Sequence, residues 1–250
     1  PIMVESTTTI YDVARVAGVS MATVSRVING NANVKEKTRQ KVLEAIAELD
    51  YRPNAVARGL ASKRTTTVGV ILPTITSTYF AAITRGVDDI ASMYKYNMIL
   101  ANSDNDVEKE EKVLETFLSK QVDGIVYMGS SLDEKIRTSL KNSRTPVVLV
   151  GTIDGDKEIP SVNIDYHLAA YQSTKKLIDS GNKKIAYIMG SLKDVENTER
   201  MVGYQEALLE ANIEFDENLV FEGNYSYEQG KALAERLLER GATSAVVSHD

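Results

Sequence analysis

Residues 9–30 read TIYDVARVAGVSMATVSRVING, and this stretch decides the fold of the amino-terminal part of the chain. Its first apolar residues recur at helical spacing, at Ile10, Val13, Ala14 and Ala17. Thr9 precedes that run as a helix cap, and Gly18 ends it. Ser20 then caps a second run that extends to about Asn29. Because the break between the runs is so short, we predict two short helices joined by a tight turn.

The second of these helices has the side chains of a DNA-recognition helix. A helix whose first turn carries short polar side chains fits a major groove about 12 Å wide. Arg26 can bond to both O6 and N7 of a guanine, and Met21 and Ala22 can touch bases or thymine methyl groups. Other polar side chains suit phosphate oxygens, namely Thr9, Tyr11, Ser20, Thr23, Ser25 and Asn33. The alternative is a purely structural helical hairpin, which the turn glycine, the cap and the arginine together disfavour.

A third helix, predicted over residues 35–49, completes a headpiece that we assign to residues 7–52. Pro53 interrupts the pattern, and residues 55–61 then combine small side chains with good helix propensity. A segment this short is not a stable helix in isolation, so we expect it to be helical only when bound. Residues 53–64 are therefore predicted to be a hinge helix and a linker.

Charge is divided unevenly along the chain. Residues 1–66 carry ten Lys or Arg against six Asp or Glu, whereas the whole chain has a formal net charge of −6. A basic segment attracts phosphates, and an acidic remainder keeps DNA to one side of a molecule. The asymmetry favours DNA binding by the first part of the chain, although an excess of this size also arises by chance.

The remainder alternates between apolar runs typical of buried strands and amphipathic helical runs. The predicted strands are 67–72, 98–102, 124–128, 147–150, 185–189, 220–222 and 245–248, and the predicted helices include 80–94, 109–120, 168–179 and 201–211. Repeated β-α units predict parallel sheets with helices on both faces. Since the pattern restarts after Pro160, we predict an α/β body of two lobes, residues 65–161 and 162–250. The second lobe has three predicted strands by residue 250, so we expect it to be truncated there.

Composition argues against several classes of function. The chain has no cysteine, and its two histidines, His167 and His249, leave little for a zinc site or a Ser-His-Asp triad. The P-loop, nucleophile-elbow and zinc-protease motifs are absent from the sequence. No apolar run approaches the roughly 20 residues of a membrane span, and the start lacks a secretory pattern. We therefore expect a cytoplasmic protein that is not an enzyme, needs no cofactor or metal and does not bind membranes.

Two stretches resemble the lactose/galactose-repressor family of bacterial transcription regulators: residues 9–30 and YRPNAVARGLA at residues 51–61. The two-lobe body is similar to periplasmic sugar-binding proteins, as in that family. The resemblance implies a homodimer whose paired hinge helices enter the minor groove, where Leu60 wedges apart a base step. The other implied hinge contacts are those of Tyr51, Asn54, Ala57 and Arg58. For Leu60 the alternative is ordinary helix packing.

Within the family, the chain also resembles members that act in carbon catabolite control. The matching stretches are SMATVSR at 20–26, PNAVARGLAS at 53–62, TTTVGV at 65–70 and MYKYN at 93–97. This similarity implies binding to pseudo-palindromic catabolite-responsive elements in double-stranded DNA, with the phosphocarrier HPr, phosphorylated on a serine, as corepressor. Asp89 and Tyr94 are our candidates for the corepressor surface, and a solvated helix face is the alternative for both.

A small-molecule cleft is the second possibility. Ligands of parallel sheets bind beyond the carboxyl ends of the strands, which here lie near Thr74, Asp104 and Asp250. By resemblance, Arg200 occupies the position at which sugar- and purine-responsive members place an arginine on their ligand, although an exposed helix charge is also possible. A repressor of the same architecture controlled by a small sugar, a sugar phosphate or a nucleotide therefore remains an alternative.

Overall fold

The computed structural model describes residues 8–129, 132–223 and 227–248, with only the backbone described for Val56, Leu60 and Ala61. The chain divides into two compact units, residues 1–65 and 66–250. The predictions for Asp250 and for the side chain of Leu60 lie outside the described part.

The first unit is helical. Its helices are α1 Ile10–Ala17, α2 Met21–Ile28, α3 Glu36–Glu48 and α4 Ala55–Ser62. Helix α1 ends because Gly18 adopts the left-handed conformation, with φ at 66°. Val13, Val24 and Val42, one from each of the first three helices, are fully buried in a shared core. The predicted helix-turn-helix and third helix therefore pack as one small domain.

The hinge segment is helical in the chain itself, as α4, which differs from the expectation that it is helical only when bound. The side chain of Asn54 accepts the N–H of Ala57 at the start of the helix. At its end, the Ser62 hydroxyl lies 3.0 Å from the carbonyl oxygen of Arg58 and 3.1 Å from that of Arg64. These local caps supply partners for terminal backbone groups and so stabilise a helix that length alone would leave marginal.

The second unit alternates strands and helices. Its strands are β1 Thr67–Leu72, β2 Asn97–Asn102, β3 Gly124–Tyr127, β4 Val147–Val150, β5 Ser161–Val162, β6 Ile185–Met189, β7 Val220–Glu222 and β8 Ser244–Val247. Its α-helices are α5 Thr78–Met93, α6 Val107–Ser119, α7 Glu134–Asn142, α8 Tyr166–Asp179, α9 Val195–Glu210 and α10 Tyr227–Glu239. One sheet has the order β2-β1-β3-β4-β5 and the other β7-β6-β8, and every described pairing is parallel.

Each sheet is covered on both faces. In β1, Ile71 packs into a core with α6 and α7, whereas its neighbours Val70 and Leu72 pack with Phe80 of α5 on the other face. In the second sheet, Tyr187 of β6 stacks on Tyr204 of α9, with ring centres 4.9 Å apart. The prediction of two α/β lobes with helices on both faces of parallel sheets is confirmed.

One helix begins far from its predicted start. Helix α9 starts at Val195, six residues before the predicted Met201. Its first turns bury Glu196 and Asn197 instead of apolar residues, so hydrophobic periodicity does not mark them. Within residues 8–129, 132–223 and 227–248, no helix combines the length and the hydropathy that a membrane span requires.

Candidate nucleic-acid interface and ligand cleft

The start of α1 is fixed by a carboxylate. The side chain of Asp12 accepts the Thr9 N–H at 2.9 Å and the Thr9 hydroxyl at 2.8 Å, and it pairs with Arg15 at 3.1 Å. The backbone bond from Thr9 is the main reason that the pKa of Asp12 lies below its usual value. Thr9 and Tyr11, two of the predicted phosphate contacts, are both exposed at this helix start.

Helix α2 has one face in the core and one in solvent. Its start is set by Ser20, whose hydroxyl accepts the Thr23 N–H at 3.2 Å and lies 3.0 Å from the Thr23 hydroxyl. Val24 and Val27 are buried. The predicted DNA-reading residues on the opposite side are exposed or half-buried, and they are Met21, Ala22, Ser25 and Arg26. The structure thus brings the predicted base-reading side chains together on a single accessible helix face.

The loop between α2 and α3 is tied to both helices. The Asn31 N–H donates to the carbonyl of Arg26 at 2.9 Å, and Arg39 of α3 donates to the carbonyl of Asn31 at 2.6 Å. The Asn31 side chain in turn accepts the N–H of Asn33, a predicted phosphate contact. Arg39 was not among the predicted site residues.

The predicted hinge contacts have different surroundings. Tyr51 is half-buried and packs against the core of the first unit, so part of its role is structural. Asn54 caps α4 as described, and both Ala57 and Arg58 are exposed on that helix.

The two predicted corepressor residues lie near the end of α5. Tyr94 is 69% exposed just after the helix, and Asp89 accepts from Arg85 at 2.9 Å. Ile90 and Met93 are exposed beside them, at 55% and 70%. We call these four residues, Asp89, Ile90, Met93 and Tyr94, the α5 patch. Ile90 and Met93 were not among the predicted site residues, although their helical spacing from Asp89 and Tyr94 indicates the same surface.

The predicted cleft residues of the first lobe meet at the carboxyl edge of its sheet. Asn102 accepts the N–H of Ile75, next to Thr74, at 2.8 Å, and its amide nitrogen donates to Asp104. Lys109 pairs with Asp104 at 2.5 Å. A hydrogen bond from Lys109 is the main reason that the pKa of Asp104 is lowered. Thr74 and Asp104 are therefore neighbours through one amide side chain.

Arg200 lies in α9 against an aromatic ring. Its guanidinium carbon is 4.3 Å from the centre of the Tyr166 ring, and it donates to the side chain of Asn197 at 3.1 Å. Burial raises the pKa of Tyr166 to about 12. A Cβ placed on Gly151 would lie 3.5 Å from the hydroxyl of Tyr79 and 3.8 Å from that of Tyr166, so both hydroxyls approach the end of β4. Aromatic faces beside an arginine and amides suit a polar ligand such as a sugar.

A separate cavity of about 240 Å³ lies where α7, the loop after β4 and the start of α9 meet. Arg137 and Asp154 line it and pair at 2.7 Å. Burial raises the pKa of Asp154, but its hydrogen bonds from Arg137 and from three backbone amides outweigh burial and lower that pKa to about 2. Glu196, also in the lining, accepts the N–H of Ile153, and burial raises its pKa to about 7. The Arg137–Asp154 pair holds the loop after β4 against α7, whereas Glu196 is buried in the lining at a cost to its charged form.

His167, one of the two histidines, pairs with Glu206 across α8 and α9. This contact joins two packed helices. In the described part of the chain, no group of three or more His, Cys, Asp or Glu side chains is arranged to hold a metal ion.

Two family models match the chain in consecutive segments. Residues 9–54 match the bacterial regulatory proteins of the lacI family, and residues 65–250 match the periplasmic binding proteins and sugar-binding domain of that family. Catabolite control protein A of Streptococcus mutans is 56% identical over 247 residues, which is 98% of this chain and 74% of the relative. Catabolite control protein A of Priestia megaterium is 53% identical over 92% of this chain and 70% of its own length.

Solved structures agree with this assignment. The lac repressor dimer bound to operator and the anti-inducer ONPF is 27% identical with a TM-score of 0.84, over 98% of this chain and 74% of the repressor. The complex of the regulator CelR with cellobiose is 32% identical with a TM-score of 0.66, over 96% and 73%. The chain therefore belongs to the lacI family of bacterial regulatory proteins, and it is a DNA-binding transcription regulator, not an enzyme.

Proposed function

We propose that this regulator acts in carbon catabolite control, in the cytoplasm, by binding pseudo-palindromic catabolite-responsive elements as a homodimer with serine-phosphorylated HPr as corepressor. The observation that carries the proposal is the similarity to catabolite control proteins A along nearly the whole chain. Because this similarity includes α2 and the hinge as well as the second unit, it bears on both the DNA site and the regulatory partner.

The first unit supplies the DNA contacts in this proposal. Residues 7–52 act as the headpiece and 53–64 as hinge and linker, with α2 in the major groove and Arg26 on a guanine. A single headpiece offers only roughly 600–1,000 Å² of contact, which gives modest specificity, so two half-sites and a dimer are needed. The lac repressor, solved as a dimer on its operator, supports this arrangement.

The α5 patch is the proposed corepressor surface, on the lobe formed by residues 65–161. All four side chains of the patch are exposed: the apolar Ile90 and Met93, the ring of Tyr94 and the carboxylate of Asp89. A mixed apolar and polar patch on a convex helix suits a protein partner better than a small ligand, which binds in concave sites.

Fluorescence anisotropy of a labelled catabolite-responsive-element duplex tests the proposal. The protein is titrated at two salt concentrations, with a scrambled duplex as control. We expect serine-phosphorylated HPr to tighten specific binding several-fold and unphosphorylated HPr to leave it unchanged. Absence of any preference over the scrambled duplex would contradict the proposal as a whole.

A second candidate is a regulator of the same architecture that answers a small sugar, a sugar phosphate or a nucleotide through the lobe cleft. The contact of Arg200 with Tyr166 favours it, as does the similarity to CelR, which was solved with cellobiose. In this case, cellobiose or glucose 6-phosphate shifts operator affinity in the anisotropy assay, HPr does not, and Arg200→Ala abolishes the shift.

A further inference from the structure

The sequence and charge pattern of the first unit suggest that its cations contact phosphates, but one of them is turned inward. The side chain of Arg39 is 21% exposed. One amino group of its guanidinium donates to the carbonyl of Asn31 at 2.6 Å, and its Nε lies 3.7 Å from Glu36. A guanidinium that is largely buried and donates to a backbone carbonyl has fewer donors left for DNA.

The residue that Arg39 holds is itself the link between the recognition helix and the following loop. Asn31 donates its N–H to the carbonyl of Arg26, the proposed guanine reader, and its side chain accepts the N–H of Asn33. Gly30, with φ at 67°, makes the turn that allows these bonds. A single contact from α3 therefore constrains the end of α2 and the loop that presents Asn33.

The start of α3 offers no other device of this kind. Lys35, its N-cap residue, makes no side-chain capping hydrogen bond. Val34 packs on the core just before the helix, and the Asn31 carbonyl is held by the Arg39 side chain one turn into it.

We propose that Arg39 is a positioning residue for operator recognition, which holds the end of the recognition helix and the Asn33 loop in the geometry that reads DNA and does not itself neutralise a phosphate. The inference rests on the proposed function, because operator preference is its main readout. Arg39 thus has a different role from the exposed lysines of the same helix, whose charges are free to contact phosphates. Lys37 is the lysine best matched to it.

Three variants of the full-length protein test the inference: Arg39→Gln, Arg39→Lys and, as a matched loss of charge on the outer face, Lys37→Gln. If losing the contact leaves the loop competent about one tenth of the time, operator affinity falls about tenfold. We expect this loss in both Arg39 variants, with affinity for scrambled DNA and the dependence of affinity on salt nearly unchanged. If Arg39 instead contacted a phosphate, Arg39→Lys would retain operator affinity. Arg39→Gln would then lower the slope of log affinity against log salt concentration by about one, and it would weaken binding to both duplexes equally.

Several results would overturn the inference. The first is normal operator affinity in Arg39→Lys, and the second is unchanged operator affinity in Arg39→Gln. The third is an equal loss of affinity for both duplexes together with a loss of helical circular dichroism, which would indicate a structural role only. If the unsubstituted protein shows no operator preference, the proposed function fails, and NMR still tests the geometry. In Arg39→Gln the amides of Asn31 and Asn33 should shift and gain fast motion, whereas that of buried Val24 should not; unchanged loop amides would refute the positioning role.

Discussion

Replacing Asp154 with asparagine should destabilise the second unit far more than the same change two residues away. The side chain of Asp154 is fully buried and accepts four hydrogen bonds, from Nε of Arg137 at 2.7 Å and from the N–H groups of Glu158, Ile159 and Asp156 at 2.9, 3.1 and 3.3 Å. Asparagine removes the charge and turns an N–H₂ group toward these donors. The loop between β4 and β5 therefore loses one of its two central acceptor oxygens.

The size of the effect follows from the lowered pKa. A folded-state pKa of about 2 against an ordinary value of 3.8 corresponds to about 2–3 kcal/mol at neutral pH. Removing one member of a buried ion pair costs about 3–5 kcal/mol when its partner is left alone. Arg137 keeps Asp156 and Glu158 at 2.8 and 2.6 Å, so the lower figure applies. In a domain of this size it lowers the melting temperature by roughly 5–10 °C.

Circular dichroism in urea measures the effect, since the chain has twelve tyrosines and no tryptophan. The control is Asp156→Asn, whose carboxylate is 72% exposed and pairs with the same arginine, and it should lose less than about 1 kcal/mol. A carboxylate with a lowered pKa stabilises the fold above its unfolded-state pKa and loses this contribution as pH falls through its folded-state value. The difference in free energy of unfolding between the unsubstituted protein and Asp154→Asn should therefore fall to about half of its neutral-pH value by about pH 3. The prediction would be refuted if Asp154→Asn and Asp156→Asn lost equal free energy of unfolding. It would also be refuted if the difference between the unsubstituted protein and Asp154→Asn did not change with pH.

Three further predictions concern other sites. Arg26→Ala should weaken operator binding by about 1–3 kcal/mol and relax the preference at one base pair, which anisotropy on operators with single substitutions measures. Gly203→Ala should destabilise the second lobe by about 1–3 kcal/mol or more in thermal melts, because the new Cβ would lie 2.1 Å from the carbonyl oxygen of His167. Its control is Gly230→Ala in α10, where the new Cβ meets open space and should stabilise the fold slightly. Equal melting temperatures for the two variants would contradict this prediction. Burial raises the pKa of Glu196 to about 7, so the folded state loses stability as pH rises from its unfolded-state value toward 7. Glu196→Gln should then gain up to about 3 kcal/mol at about pH 8 and little at about pH 4, and a gain independent of pH would count against burial as the cause.

The strands were predictable because their environment is uniform. A parallel strand covered on both faces is an apolar run, and β1, β4, β6 and β7 have the bounds that the sequence indicates. The headpiece helices were predictable for a different reason, since Thr9, Ser20 and Gly18 are local signals whose partners lie within a few residues.

Sequence patterns do not reveal a buried polar side chain whose partner lies outside its own helix. The first turns of α9 look like a solvated segment, yet Glu196 and Asn197 are buried because the backbone of Ile153 and the carbonyl of Ser191 satisfy them. Asp154 is a similar case, as its main partner is an arginine seventeen residues earlier. Spacing within one helix cannot reveal these pairs, because they depend on how the elements pack.

Arg39 lies between these cases, and it shows what sequence can still offer at a DNA-binding surface. It precedes Val42 by three residues and Ile46 by seven, so helical spacing places it on the inner face of α3 with the core of the first unit. Arg26 falls beside Val24 and Val27 in sequence but on the opposite face of α2, and it is exposed. Under the proposed function, the phase of a cation relative to the buried residues of its own helix separates Arg26, which is accessible to DNA, from Arg39, which holds the neighbouring loop. Net charge counts both kinds equally, which is why the basic excess of the first 66 residues could not distinguish them.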